Sequence, residues 1–265
     1  MRIDVWSDIL CPFCHLGRRH LELALEQFEH ADEVSVIWHS FQLDPEAPAR
    51  VEGSNVERIA QKYGVSVEDA TASQEQLAAD AAAVGLDYQW EKAVGGNSYA
   101  AHRLIHFARF QGVEQKVTDR ILRAWYSEGA SIGDKEVLLE LAVEAGLDAE
   151  EVRGVLESDS FGHEVRSDIA VARQIGITSV PTFVLDQKFG VPGAQPVDVM
   201  LNAIRYAWED QGNTAGGGCG CGGCGCGAGA PAQEDVAEAA AESVPQPEPA
   251  AAGGGCGSGA CGCGA

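Results

Sequence analysis

Two cysteines separated by two residues can close a disulfide with little backbone movement, and Cys11-Pro12-Phe13-Cys14 is such a pair. It follows an alternating, strand-like stretch, Ile3-Asp4-Val5-Trp6, and precedes residues with helical spacing (Leu16, His20, Leu21, Ala24, Phe28). Cys11 is therefore expected at a helix N-terminus. Unpaired backbone N–H groups and the positive end of the helix dipole stabilise a thiolate there, and the thiolate is the reacting form of cysteine. Cys11 reads as a nucleophile. Cys14, a turn deeper, is placed to attack a mixed disulfide on Cys11 and release the product. The same pair would serve as half of a zinc site, but structural zinc takes four ligands and the first 210 residues hold no second cysteine pair. Two ordinary buried cysteines are the remaining alternative. The strand–CxxC–helix setting favours redox chemistry.

The elements that must position this pair follow from periodicity. Ile3–Trp6 predicts a strand, and about Pro12 to Glu29 a helix, with proline suited to its first turn. Val34–Trp38 predicts a second strand. From about Ser54 to Arg173 the pattern is helical almost throughout, with segments over Glu68–Val84, Asn97–Phe110, Val117–Tyr126, Lys135–Ala145, Ala149–Glu157 and Ser160–Ile175. Val180-Pro181 then leads into a β run ending near Asp186. Phe189–Ala194 is turn-rich and begins with a short strand, and Pro196–Trp208 predicts a closing helix. The order β-α-β, helical block, β-β-α describes one α/β core interrupted by an insertion. Its expected parts are residues 1–53 and 174–210 (core), 54–173 (insertion) and 211–265 (a disordered, low-complexity tail).

The chain has 265 residues, with 18 Lys and Arg against 40 Asp and Glu, for a net charge of −22. Such a charge repels phosphate backbones and anionic membrane surfaces, so neither nucleic acid nor membrane is an expected partner. No apolar run approaches the length of a membrane span. The N-terminus lacks a basic and apolar leader, which points to the cytoplasm. In a reducing compartment, paired cysteines indicate catalysis or metal more often than structural disulfides.

A second constellation completes a resemblance. The Cys-Pro-Phe-Cys motif between strand and helix, a helical insertion, and Gly176-Ile177-Thr178-Ser179-Val180-Pro181-Thr182-Phe183 together resemble the thioredoxin fold of DsbA-like oxidoreductases. The likeness is strongest to the FrnE-type branch, related to 2-hydroxychromene-2-carboxylate isomerases and kappa-type glutathione transferases. Asn97-Ser98-Tyr99-Ala100-Ala101-His102-Arg103-Leu104 and Gly190–Pro196 carry it further, so that it spans residues 1 to about 209. The resemblance implies that Cys11 is the nucleophile, Cys14 the resolving cysteine, and Pro181 a cis-proline facing them. It implies that Val180 offers its backbone to an extended substrate, and that Pro12 and Phe13 tune the reduction potential. The isomerase and transferase relatives commonly carry Ser where Cys11 stands, so the pair favours dithiol redox chemistry over glutathione-dependent isomerisation. Glutathione remains a candidate small-thiol partner beside protein thiols and disulfides. The oligomeric state is left open.

His39 and His102 are candidates for the pocket between core and insertion, whereas His15 reads as a partly exposed helix position. Trp90, Trp125 and Tyr126 read as insertion core. The acidic positions Glu68, Asp69, Glu75, Asp80, Glu136, Glu140 and Glu144 read as solvated helix faces. No phosphate-cradling glycine loop adjoins a strand, so no organic cofactor is implied. The tail carries the other seven cysteines. Gly216–Ala228 and Gly253–Ala265 match at 11 of 13 positions, which marks a duplicated module. Cys219, Cys221, Cys224 and Cys226, with Cys256, Cys261 and Cys263, would suit Zn or Cu. They would equally suit an exchange relay to Cys11–Cys14, or form a low-complexity stretch without a selected role.

Overall fold

The computed structural model describes residues 1–215. The expectations for the tail cysteines lie outside the described residues. Strand β1 (Arg2–Ser7) leads into helix α1 (Pro12–Glu26) and strand β2 (Ser35–Ser40). Seven helices follow: α2 (Asn55–Tyr63), α3 (Val67–Ala83), α4 (Tyr99–Phe110), α5 (Glu114–Arg123), α6 (Lys135–Glu144), α7 (Ala149–Glu157) and α8 (Gly162–Gln174). Strands β3 (Thr182–Leu185) and β4 (Phe189–Pro192) and helix α9 (Val197–Ala215) close the fold. The sheet runs β2-β1-β3-β4, with β1 parallel to β2 and antiparallel to β3, and β3 antiparallel to β4. This is a thioredoxin-like fold carrying a large helical insertion.

The alternation along β1 divides its side chains between two faces. Ile3 and Val5 join Leu21 and Ala24 of α1, Phe183 and Leu185 of β3, and Met200 and Ile204 of α9 in one core. Asp4 and Trp6 point the other way, where Trp6 packs with Ala172 of α8 and donates its indole N–H to the Asp168 carbonyl at 3.0 Å. The insertion has its own core, built on Leu104, Phe107, Ile121, Leu138, Val152 and Tyr126, with Trp125 buried and Trp90 packed against it. Serine and aspartate side chains accept backbone N–H groups at three of its helix starts: Ser66 for α3, Asp134 for α6 and Asp148 for α7. The seven acidic positions read as solvated faces are all exposed.

Two boundaries differ from the sequence expectation. Helix α1 ends at Glu26, three residues early. Helix α9 runs to Ala215, past Trp208 and into the segment expected to be tail. Glu209-Asp210-Gln211 offers no proline to stop it, and Lys188 Nζ holds Asp210 at 2.9 Å. Among the described residues, no helix is long and apolar enough to cross a membrane.

Candidate active site

Cys11 occupies the cap position at the N-terminus of α1, in an extended conformation with φ −106° and ψ 112°, and Pro12 opens the helix. The Cys14 N–H donates to the Cys11 carbonyl at 3.0 Å, which draws the two cysteines together in one turn. They are not joined, and both are buried, Cys11 at 5% and Cys14 at 2% exposure. Burial, reinforced by Cys11 beside it, pushes the Cys14 thiol well above the ordinary range. Phe13, between them, is 48% exposed and presents an apolar face to solvent next to the buried sulfurs.

The Val180–Pro181 peptide is cis, and Cys11 Sγ lies 3.8 Å from the Val180 carbonyl oxygen. This loop is tied from below: the Gly193 N–H donates to the Pro181 carbonyl at 2.7 Å, and Thr182 Oγ1 donates to the Ser179 carbonyl at 2.7 Å. Sequence reasoning missed the residue that lets α1 approach it. A Cβ on Gly17 would stand 2.9 Å from Pro181 Cγ, 3.2 Å from Phe183 Cζ and 3.4 Å from Ala194 Cα. Glycine here permits close approach rather than an unusual backbone. Alanine would gain about 1 kcal/mol of helix propensity, but overpacking against rigid neighbours costs about 1–3 kcal/mol. Gly17→Ala is therefore expected to lower the melting temperature and to slow disulfide exchange at Cys11. A melt in which Gly17→Ala is the more stable protein would show that the approach is not tight.

Behind Cys14, between α1, β2, α4 and α5, lies a cleft enclosing about 490 Å³ of empty space, part of it open solvent. Cys14, His15, Arg18, His39, His102 and His106 line it. The structure thus brings His102 to the Cys14 side of the pair. His102 is buried at 4% exposure, with Nε2 3.4 Å from Asp8 Oδ1. Asp8 is itself buried. Desolvation would raise its carboxyl, but His102, the Leu43 N–H at 2.8 Å and Ser98 outweigh that and hold it below the ordinary range. His15 is half-buried, and its ring meets Tyr126 edge-on at 4.4 Å. Burial and the Arg18 charge lower it to about 4, so its imidazole is neutral. Tyr126 stacks in turn on Tyr88 at 4.2 Å. Burial pushes both phenols up, and both lie within electrostatic reach of Cys11.

His39 occupies one wall of the cleft for a different reason. Its Nε2 lies 2.7 Å from Asp4 Oδ1 and its Nδ1 2.8 Å from Asp168 Oδ1, with Trp6 stacked on the ring at 4.4 Å. The second oxygen of Asp168 accepts the Ser40 N–H at 2.8 Å and faces His106 Nε2 at 3.2 Å. Desolvation would lower His39, but the two carboxylates outweigh it and the ring is held above its ordinary 6.5. Desolvation would raise Asp168 above its ordinary 3.8, but His106, His39 and Ser40 hold it well below. A raised histidine stabilises the fold fully below 6.5 and loses that contribution as pH climbs through its folded value. A lowered aspartate contributes above 3.8 and loses its share as pH falls through its folded value. The cluster is therefore most stabilising between those two ordinary values. The urea midpoint should fall between pH 6 and pH 8.5, and fall less in His39→Gln. Equal falls in both proteins would place the pH dependence elsewhere.

Asp8, Gly17, Asp168 and Tyr126 were not singled out for the site from sequence. Asp8, three residues before Cys11, and Gly17, inside a helix three residues after Cys14, each carried a local signal. The separation of 129 positions from His39 to Asp168 left none. Among the described residues, no group of three or more His, Cys, Asp and Glu side chains is arranged to hold a metal ion.

The family model for the DSBA-like thioredoxin domain matches residues 2–205. A crystal structure of a “probable DsbA oxidoreductase” from Streptomyces coelicolor is 42% identical, with a TM-score of 0.77, covering 79% of this chain and 91% of that one. The YwbO protein of Bacillus subtilis is 28% identical over 207 residues, which span 77% of this chain and 96% of that protein. A solved 2-hydroxychromene-2-carboxylate isomerase shares the fold at 15% identity, with a TM-score of 0.61 and coverage of 81% and 99%.

Proposed function

The chain belongs to the DsbA-like thioredoxin-domain family, and from that premise we propose that it is a thiol–disulfide oxidoreductase of the cytoplasm, acting on protein or small-molecule thiols and disulfides. The observation that carries this reading is the placement of Cys11 at the α1 N-terminus, 3.8 Å from the Val180 carbonyl, with Cys14 one turn below. In the reducing direction, the Cys11 thiolate attacks a substrate disulfide. One substrate sulfur leaves as thiolate, and a Cys11–substrate mixed disulfide forms. Cys14 then attacks Cys11 Sγ, the Cys11–Cys14 bond forms, and the second substrate sulfur leaves. Two electrons pass from the protein pair to the substrate. The oxidising direction is the reverse.

An extended substrate would lie along the Val180–Pro181 loop, with Phe13 supplying an apolar contact beside the sulfurs. The cysteine pair supports this reading over the glutathione-dependent isomerisation suggested by the fold shared with the isomerase. Isomerisation needs a held glutathione thiolate and makes no use of a second cysteine. The test is to measure dithiothreitol-driven reduction of insulin beside conjugation of glutathione to 1-chloro-2,4-dinitrobenzene. Acceleration of the first alone supports the oxidoreductase. Acceleration of the second alone, unchanged in Cys14→Ser, would replace it with the transferase and isomerase class.

A further inference from the structure

Cys14 must lose a proton before it can attack, because only the thiolate is nucleophilic. Its thiol is 2% exposed and meets the Ser7 side chain and the Asp8 backbone. Bulk water therefore does not reach it freely; the cleft behind it is walled mostly by apolar surface (Ile9, Trp38, Ile105, Leu122), into which Ser7, Ser40 and four histidines set their polar atoms. The cleft leaves about 50 Å³ for the centres of water molecules, room for roughly three to five at 10–15 Å³ each.

The groups facing this space differ in what they can accept. His39 has both ring nitrogens engaged by Asp4 and Asp168. His106 Nε2 is shared between Ser40 Oγ and Asp168. Arg18 and Arg109 are donors already paired with Asp119 and Glu114. His15 has a buried Nδ1 without a partner, but burial makes it a weak base. His102 is different. Its buried Nε2 has no hydrogen-bond partner and faces the Asp8 carboxylate at 3.4 Å, beyond a good bond, so its lone pair is unclaimed.

We infer that His102, facing the Asp8 carboxylate, accepts the Cys14 proton through water in this cleft as Cys14 resolves the mixed disulfide. The inference rests on the oxidoreductase reading and deepens it. In the step, the Cys14 S–H proton passes by way of water to His102 Nε2. The Cys14 electron pair forms the bond to Cys11 Sγ, and the substrate sulfur leaves with the electron pair of the broken bond. The proton then returns through the cleft to solvent or to the departing thiolate. Asp8 supplies the negative charge that faces the ring. Its own carboxyl is held too acidic to serve as the base.

The test uses the full chain with its seven tail cysteines changed to serine. Ellman's reagent oxidises Cys11 in a first, reagent-dependent release of thionitrobenzoate, and Cys14 then expels the second in a unimolecular phase. His102→Gln should leave the first phase unchanged and slow the second about a hundredfold near pH 7. Added imidazole should restore part of the loss. The variant's second phase should rise with hydroxide at a slope of one, whereas the parent profile should bend. A second phase in folded His102→Gln that matches the parent in rate and pH profile would overturn the assignment. Should that variant not fold, the parent alone decides, since a profile of slope one without a bend would also overturn it. Absence of any second phase in the parent, or its persistence in Cys14→Ser, would defeat the oxidoreductase reading itself.

Discussion

Cys14→Ser is expected to stop multiple turnover and to accumulate a stable adduct on Cys11, while Cys11→Ser accumulates none. In the proposed reaction, disulfide exchange passes through a bond between Cys11 and a substrate sulfur, and release needs a second thiolate within the same turn. The 3.0 Å bond from the Cys14 N–H to the Cys11 carbonyl keeps the second sulfur in that turn. With serine at position 14 the first step proceeds and the second has no nucleophile. Turnover should fall by at least about a thousandfold in either variant, as for other enzymes that lose a covalent nucleophile. Peptide mapping after reaction with oxidised glutathione locates the adduct, which matters because seven further cysteines lie in the tail. Trapping at tail cysteines with Cys11 unmodified, or turnover by Cys14→Ser at the parent rate, would count against the pair.

The second large effect is expected on stability. Asp168 of α8 reaches β2 through His39 and the Ser40 N–H, and α4 through His106. It therefore ties the last helix of the insertion to the sheet and to the insertion's central helix. Its side chain and that of His39 are each only 15% exposed, so solvent cannot replace the lost contacts. Removing one partner of a buried charged pair strands the other, at a cost of about 3–5 kcal/mol. Asp168→Ala should lower the melting temperature by on the order of 10 °C for a fold of this size. Asp168→Asn should recover part of this, because an amide oxygen can still accept the Ser40 N–H. A loss below about 1 kcal/mol by chemical denaturation would mean that the cluster relaxes or hydrates on truncation.

What was legible in the sequence was local. The alternation in β1, the proline after Cys11 and the spacing of α1 put the cysteine pair at a strand-to-helix junction, and the structure has it there. Val180-Pro181 could be placed before the last strand run because proline and β-branched residues mark such boundaries. The insertion was legible as helical because six segments share one period; the helix over Asn55–Tyr63 was not delimited separately. Long-range partners were not legible. Nothing in the order of residues around Asp168 says that it meets His39 and Ser40 across the chain. The end of α9 was missed because polar residues without proline permit both helix and coil. His102 was found for its place in a family-like segment. Its position behind Cys14, and beside Asp8, came only from the fold.

The most direct measurement is a redox titration of the full chain in graded glutathione buffers. Each point is quenched by alkylation, and the peptide carrying Cys11 and Cys14 is then weighed by mass spectrometry. Both thiols of that peptide are expected to lose their label together, in a single two-electron transition. A pair that stays reduced across the whole range, or a transition that stops at a stable glutathione adduct on Cys11, would contradict it.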